Sequence, residues 1–215
     1  MKMTRIVVTA GLLALGTSAQ ANLLLNGGFD VVSDILDTNG VPTGNVTADD
    51  WEAWSWGNGW GNTEIAGWGS PGGTYHTAVG AAGGGGGGHF QIVPATAGTE
   101  YELTVLSGAD AWWLPTGRMF MFFLDDLDVE VGQATRNTVD PAVYGMDQFD
   151  IPHPWESYSL TAIAPVGTTQ IKVEFEANNA TGSVGFDNAV LIPEPASLAL
   201  LGVGMLALAL RRRPH

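Results

Sequence analysis

Between its two apolar ends, this chain has no stretch in which apolar residues recur at helical spacing, whereas several segments alternate. Tyr101, Leu103 and Val105 interleave with Glu102, Thr104 and Leu106, and Ile171, Val173 and Phe175 with Lys172, Glu174 and Glu176. A period of two puts each set on its own face of a pleated strand. Arg118 to Leu124 is nearly continuously apolar, as an interior strand requires. His89 to Val93 (closed by Pro94), Trp155 to Leu160 and Val184 to Leu191 add further strands. The expectation is an all-β antiparallel jelly-roll sandwich of about eight strands.

The ends read differently. Lys2 and Arg5 precede an apolar stretch, Ile6 to Leu15, and Ala19-Gln20-Ala21 places small residues at a cleavage spacing. Residues 1–21 therefore read as a secretory signal peptide. The β-sandwich domain is assigned to 22–192, long enough to bury a substantial core. The chain has no cysteine, so an exported domain of this kind relies on packing, or on a bound ion, rather than on disulfides. Within 22–192 only Arg118, Arg136 and Lys172 are basic against 21 acidic residues, a formal charge of −18. That surface repels nucleic acid and anionic lipid and suits divalent cations or a neutral polysaccharide, although solubility alone also accounts for it.

The C-terminal segment, 193–215, has three parts: Pro193-Glu194-Pro195, an apolar run from Ala196 to Leu210, and Arg211-Arg212-Arg213. As a helix, the run would reach roughly 22 Å, short of a ~30 Å hydrocarbon core, so it is a marginal span that a thinned bilayer tolerates. The three arginines should remain cytoplasmic and leave the domain outside. An ordinary anchor or a buried helix would share part of this pattern. The three-part order resembles the PEP-CTERM sorting signal, which implies recognition by an exosortase, a membrane protease/transpeptidase, and at least transient anchoring at the cell surface or extracellular matrix.

The domain opens Asn22-Leu23-Leu24-Leu25-Asn26-Gly27-Gly28-Phe29-Asp30 and closes Gly185-Phe186-Asp187-Asn188-Ala189-Val190-Leu191. Together these resemble galactose-binding-like sandwiches, including many carbohydrate-binding modules. The resemblance implies a structural calcium held by Asp30 and Asp187, with backbone carbonyls and water completing six to eight oxygens. A turn-capping acid and an ordinary strand residue would look the same.

Between these landmarks, Val31 to Asp50 lacks periodicity and reads as a long loop. Trp51, Trp54, Trp56, Trp60 and Trp68 then fall within eighteen glycine-rich residues. Flat aromatic faces suit the apolar face of a pyranose, so Trp54, Trp56 and Trp60, with Asn58, are the candidate carbohydrate-binding residues. One or two of these tryptophans are equally expected in the core. Gly83 to Gly88, six glycines in a row, reads as a flexible loop. Asp126, Asp128 and Glu130 alternate with Leu127, Val129 and Val131, which suggests an outward polar strand. His76, His89 and His153 are scattered without a zinc signature and read as turn or surface residues. With no nucleophile elbow and no cysteine, no catalytic residue is assigned. The expected function is non-enzymatic binding of extracellular polysaccharide. The alternatives are a structural matrix protein without a specific ligand and a glycan-active enzyme.

Overall fold

The computed structural model describes residues 21–36, 42–56, 63–66, 71, 73, 75–81, 85–109, 116–139, 153–178 and 182–194. Twelve strands occur there: β1 (Val32–Leu36), β2 (Pro42–Ala48), β3 (Glu52–Trp56), β4 (Thr63–Ala66), β5 (His76–Ala81), β6 (Gly86–Pro94), β7 (Glu100–Ala109), β8 (Thr116–Leu124), β9 (Glu130–Asn137), β10 (His153–Ile163), β11 (Gln170–Asn178) and β12 (Gly182–Pro193). Ten of them form two five-stranded antiparallel sheets, in the orders β10-β7-β12-β5-β4 and β3-β6-β11-β8-β9. The fold is thus an all-β antiparallel sandwich, as the alternation requires.

The core lies where the two sheets turn their apolar rows inward. Leu103 and Val105 on β7, with Val184, Phe186 and Leu191 on β12, meet Ile171, Val173 and Phe175 on β11 and Met119, Met121 and Phe123 on β8. Phe175 stacks on Phe186 at 5.1 Å between ring centroids. Trp51 closes one side of this core, 5.7 Å from Phe175 and 4.8 Å from Phe29. Its indole N–H donates to the carbonyls of Leu25 and Asn26, so the polar edge is satisfied. Of the three clustered tryptophans among the described residues, this one packs in the core.

Several expectations are corrected. Val31 to Asp50 is not one loop. β1 and β2 pair there, stiffened by Val32, Val46 and Thr47. Ser33, Asp34 and Ile35 of β1 are exposed, so that strand has little buried face to impose a pattern on the sequence. The glycine run is not wholly a loop, because Gly86 to Gly88 form the start of β6 and pair with both β3 and β11. Asp126 and Asp128 lie in the β8–β9 turn instead of a strand. Asp125 Oδ1 accepts the N–H groups of Leu127 and Val129, both at 2.9 Å, and Asp128 has a φ of +60°. Aspartate turn chemistry outweighs local alternation here, and the exposed polar strand, β9, begins only at Glu130. His76 and His89 are also buried strand residues, not surface ones. His89 Nδ1 pairs with the hydroxyl of Thr77, and burial pushes its pKa down to about 3. His76 packs edge-on against Trp155, and burial lowers its pKa to about 4.

Candidate functional site

Residues that alternate with the core on β11 and β8 point outward, and the register aligns them in rows across five strands. One row reads Trp54, Gly88, Glu176, Arg118 and Asn137. The next reads Glu52, Phe90, Glu174, Phe120 and Thr135, and a third Ile92, Lys172, Phe122 and Gln133. Trp56, beyond the first row, pairs with Gly86. Gly88 of β6 is what seats Trp54. A Cβ on Gly88 would stand 2.9 Å from the Trp54 indole nitrogen and 2.5 Å from the Phe175 carbonyl oxygen, so only glycine fits beneath that ring.

The charges at the centre of this face are paired, and Glu52 at its β3 edge is exposed. Lys172 Nζ sits 2.6 Å from Glu174 and lies over the rings of Phe122 (4.6 Å) and Phe90 (5.0 Å). Arg118 pairs with Glu176 and lies 5.5 Å from the Phe120 ring, which stacks on Phe122. Although they point away from the core, Glu174 and Glu176 are only 5% and 8% exposed. Burial raises the Glu176 carboxyl above its ordinary range, and the Arg118 guanidinium opposes that shift. The Nε of Arg118 is buried with no acceptor among the described residues. Around this polar floor, Trp56 (46%) and Ile92 (41%) are exposed, while Trp54, Phe90 and Phe122 are half-buried. Such a surface offers apolar rings beside central hydrogen-bonding pairs whose charges cancel.

Trp54 and Trp56 therefore share one face, whereas Asn58 and Trp60 lie outside the described residues. Sequence reasoning missed Phe90, Arg118, Phe120, Phe122, Lys172, Glu174 and Glu176 as members of the site. The available signal was β8 itself: a strand apolar on both faces, in a sandwich with one core, has aromatic side chains left over for the outside.

Asp30 and Asp187, 157 positions apart in the chain, come together at the junction of the N-terminal turn and β12. The turn needs left-handed backbone at Asn26 (φ +46°) and Phe29 (φ +55°), and β12 answers with a bulge at Asp187–Val190 and a φ of +50° at Asn188. Asn22 clasps the two, donating to the Ala189 carbonyl and accepting from the N–H groups of Leu24 and Leu191. A Cβ on Gly27 would lie 2.1 Å from the Ala189 carbonyl oxygen, so the approach requires glycine. Three side-chain oxygens surround the place a Cβ would take on Gly28: Asp30 Oδ2 at 3.4 Å, Asn188 Oδ1 at 3.6 Å and Asp187 Oδ1 at 4.0 Å. Asp30 also accepts the Tyr75 N–H, and Asp187 that of Asn188. The donors are hard oxygens converging on a side-chain-free space, a chemistry that fits calcium. Among the described residues, no cluster of three or more His, Cys, Asp or Glu side chains has metal-binding geometry. The third side-chain oxygen, from Asn188, was not singled out from sequence.

The sorting segment begins inside the sheet. Pro193 is opposite Tyr101 on β7, and the Glu194 N–H donates to the Glu100 carbonyl at 2.7 Å. Pro195 and Arg211, Arg212 and Arg213 lie outside the described residues. Among the described residues, no helix is long and apolar enough to cross a membrane, and the run 196–210 is not among them.

Residues 191–213 match the PEP-CTERM protein-sorting motif. No curated protein matches the chain in sequence. Among solved structures, the chain is similar to one described as "CBM4 structure and function", with a TM-score of 0.50 and 18% identity over 79% of this chain and 99% of that one. It is also similar to the enzymatically active domain of bacteriophage CBA120 tailspike protein 4 (TM-score 0.58, 13% identity, 80% of this chain). A third similar structure is an arabinose-bound MgGH51 α-L-arabinofuranosidase (TM-score 0.55, 11% identity, 81% of this chain). The chain spans 21% and 26% of the latter two. These likenesses carry the fold alone, an antiparallel β-sandwich similar to those of carbohydrate-binding modules, and its C-terminus bears the PEP-CTERM motif that marks exported proteins for an exosortase.

Proposed function

We propose that the outward face of β3, β6, β11 and β8 binds a neutral extracellular polysaccharide without cleaving it, on a protein delivered to the cell surface or matrix by its sorting segment. The observation that carries this reading is the row structure, in which Trp54, Trp56, Phe90 and Phe122 flank paired charges on the central strand. Sugar rings stack on the aromatic faces. The Lys172–Glu174 and Arg118–Glu176 pairs supply donors and acceptors to hydroxyl groups. Because those charges cancel, the floor favours an uncharged glycan over an acidic one. The two buried carboxylates of the face, Glu174 and Glu176, are each engaged by a cation, which supports binding over hydrolysis.

In the same reading, Asp30, Asp187 and Asn188 hold a calcium ion that ties the N-terminal turn to β12 and rigidifies the fold. The run 196–210 anchors the protein in the membrane at least until an exosortase acts. A glycan-array screen of the purified protein, with and without chelator, tests the proposal. Saturable binding to a neutral glycan class is expected. A folded protein that binds none would favour a purely structural matrix role.

A further inference from the structure

Hydrogen bonds gather three turns and the chain exit at one pole of the sandwich. Thr169 N donates to Leu124 O and Ala95 N to Thr169 O, which joins the β10–β11 turn to the ends of β8 and β6. Ala164 N donates to Thr99 O and Gly98 N to Ala164 O, which adds the β6–β7 turn. Gln170 Nε2 reaches Asp128 Oδ1 at 2.9 Å in the β8–β9 turn. Glu100, the start of β7, pairs with Ile163 and also receives the Glu194 N–H. The polypeptide therefore leaves the domain at this pole.

The same pole carries a concentration of exposed aliphatic side chains. Val166 is 95% exposed and Leu127 76%, with Ile163, Val129 and Val131 exposed beside them. The apolar run begins at Ala196, two residues beyond Glu194. Two extended residues span at most about 7 Å. The headgroup layer on each side of a bilayer is about 5–8 Å deep, by the difference between total and hydrocarbon thickness. A chain whose run enters a bilayer cannot hold this pole clear of it.

The geometry points to this pole as a membrane-contact surface: Leu127, Val129, Val131, Ile163 and Val166 rest in the headgroup region of the bilayer that receives residues 196–210. Asp126, Asp128 and Glu130 are interspersed among these residues, so the partner is a zwitterionic surface, and anionic lipid weakens the contact. The contact holds the sorting triplet at the membrane surface, where a membrane-embedded processing enzyme works. The inference rests on the anchoring part of the proposed function and is independent of glycan binding.

Because the chain has no cysteine, single labels are clean. Full-length Leu127→Cys, Val166→Cys, Met205→Cys and Ser55→Cys, each carrying an environment-sensitive fluorophore, are reconstituted into phosphatidylethanolamine–phosphatidylcholine vesicles. Some vesicles contain lipid brominated near the headgroup end of the acyl chains. Labels at 127 and 166 are expected to shift to the blue and to be quenched, as is the label at 205, while that at 55 stays water-exposed. Labels at 127 and 166 that match 55 while 205 inserts would overturn the contact alone. Failure of 205 to insert would overturn it together with the anchoring reading. A label at 127 or 166 that is shielded only when exosortase is added would replace lipid with protein as the partner, and so also overturn it.

Discussion

The two sheets share one core and differ on the outside. Both turn an apolar row inward with the same alternation, and Phe175 meets Phe186 between them. Outward, the β10–β7–β12 surface is mixed: Thr161 and Ile192 flank Glu102, Ser159 and Val190 flank Thr104, and one large ring, Trp155, lies against Gly185 and edge-on to His76. The other sheet presents Trp54, Phe90, Phe120 and Phe122 around two ion pairs at its centre. The difference teaches that the inward rows make the fold, and that the clustering of rings about ion pairs on one outer face is what supports the proposed recognition role.

The strongest way to break this comparison is to damage what the sheets share. Phe175→Ala leaves a cavity against Trp51 and Phe186 and is expected to cost about 3–5 kcal/mol of stability. Denaturant unfolding should show that loss, and both faces should lose structure together. Next in size is the clasp between turn and bulge. If calcium occupies it, saturating the ion at about 100 times its dissociation constant stabilises the protein by about 2.7 kcal/mol. Asp187→Asn should abolish the calcium-dependent rise in melting temperature, while melting in chelator changes little.

Acid sharpens the picture further. His76 and His89 titrate near 4 and 3 in the fold, below their ordinary value of 6.5, because burial penalises the charged ring. Their contribution is fully present above 6.5 and is lost as pH falls from there through 4 and 3. The expected slope is about 1.4 kcal/mol per pH unit for each histidine in that window. Unfolding midpoints measured across the window should show a smaller slope in His89→Gln.

Much of the sandwich was legible because β7, β11 and β12 each bury one face, which imprints period two on the sequence. β1 was not, since Ser33, Asp34 and Ile35 are exposed on both of its faces and leave no such imprint. Gly86 to Gly88 misled for the opposite reason. Their missing side chains make room for Trp54, a tertiary fact that no local pattern records. The candidate site was half legible: Trp54 and Trp56 stood out by residue type, whereas Phe90, Arg118, Phe120, Lys172 and Glu174 join them only through the register of strands far apart in the chain. Asp30 and Asp187 were paired through a family resemblance, and the β12 bulge supplies the physical reason for their meeting.

The smallest expected energetic effect carries the most meaning. For a neutral glycan identified by array, Trp56→Ala should weaken the dissociation constant roughly tenfold, about 1.4 kcal/mol, with the unfolding curve unchanged. Thr161→Ala, on the other sheet's outer face, should leave it untouched. Titration calorimetry of wild type and these two variants is the direct test. Selective loss in Trp56→Ala is the result expected of a recognition face on β3–β6–β11–β8. Equal affinity in all three, or equal loss in both variants, would contradict it.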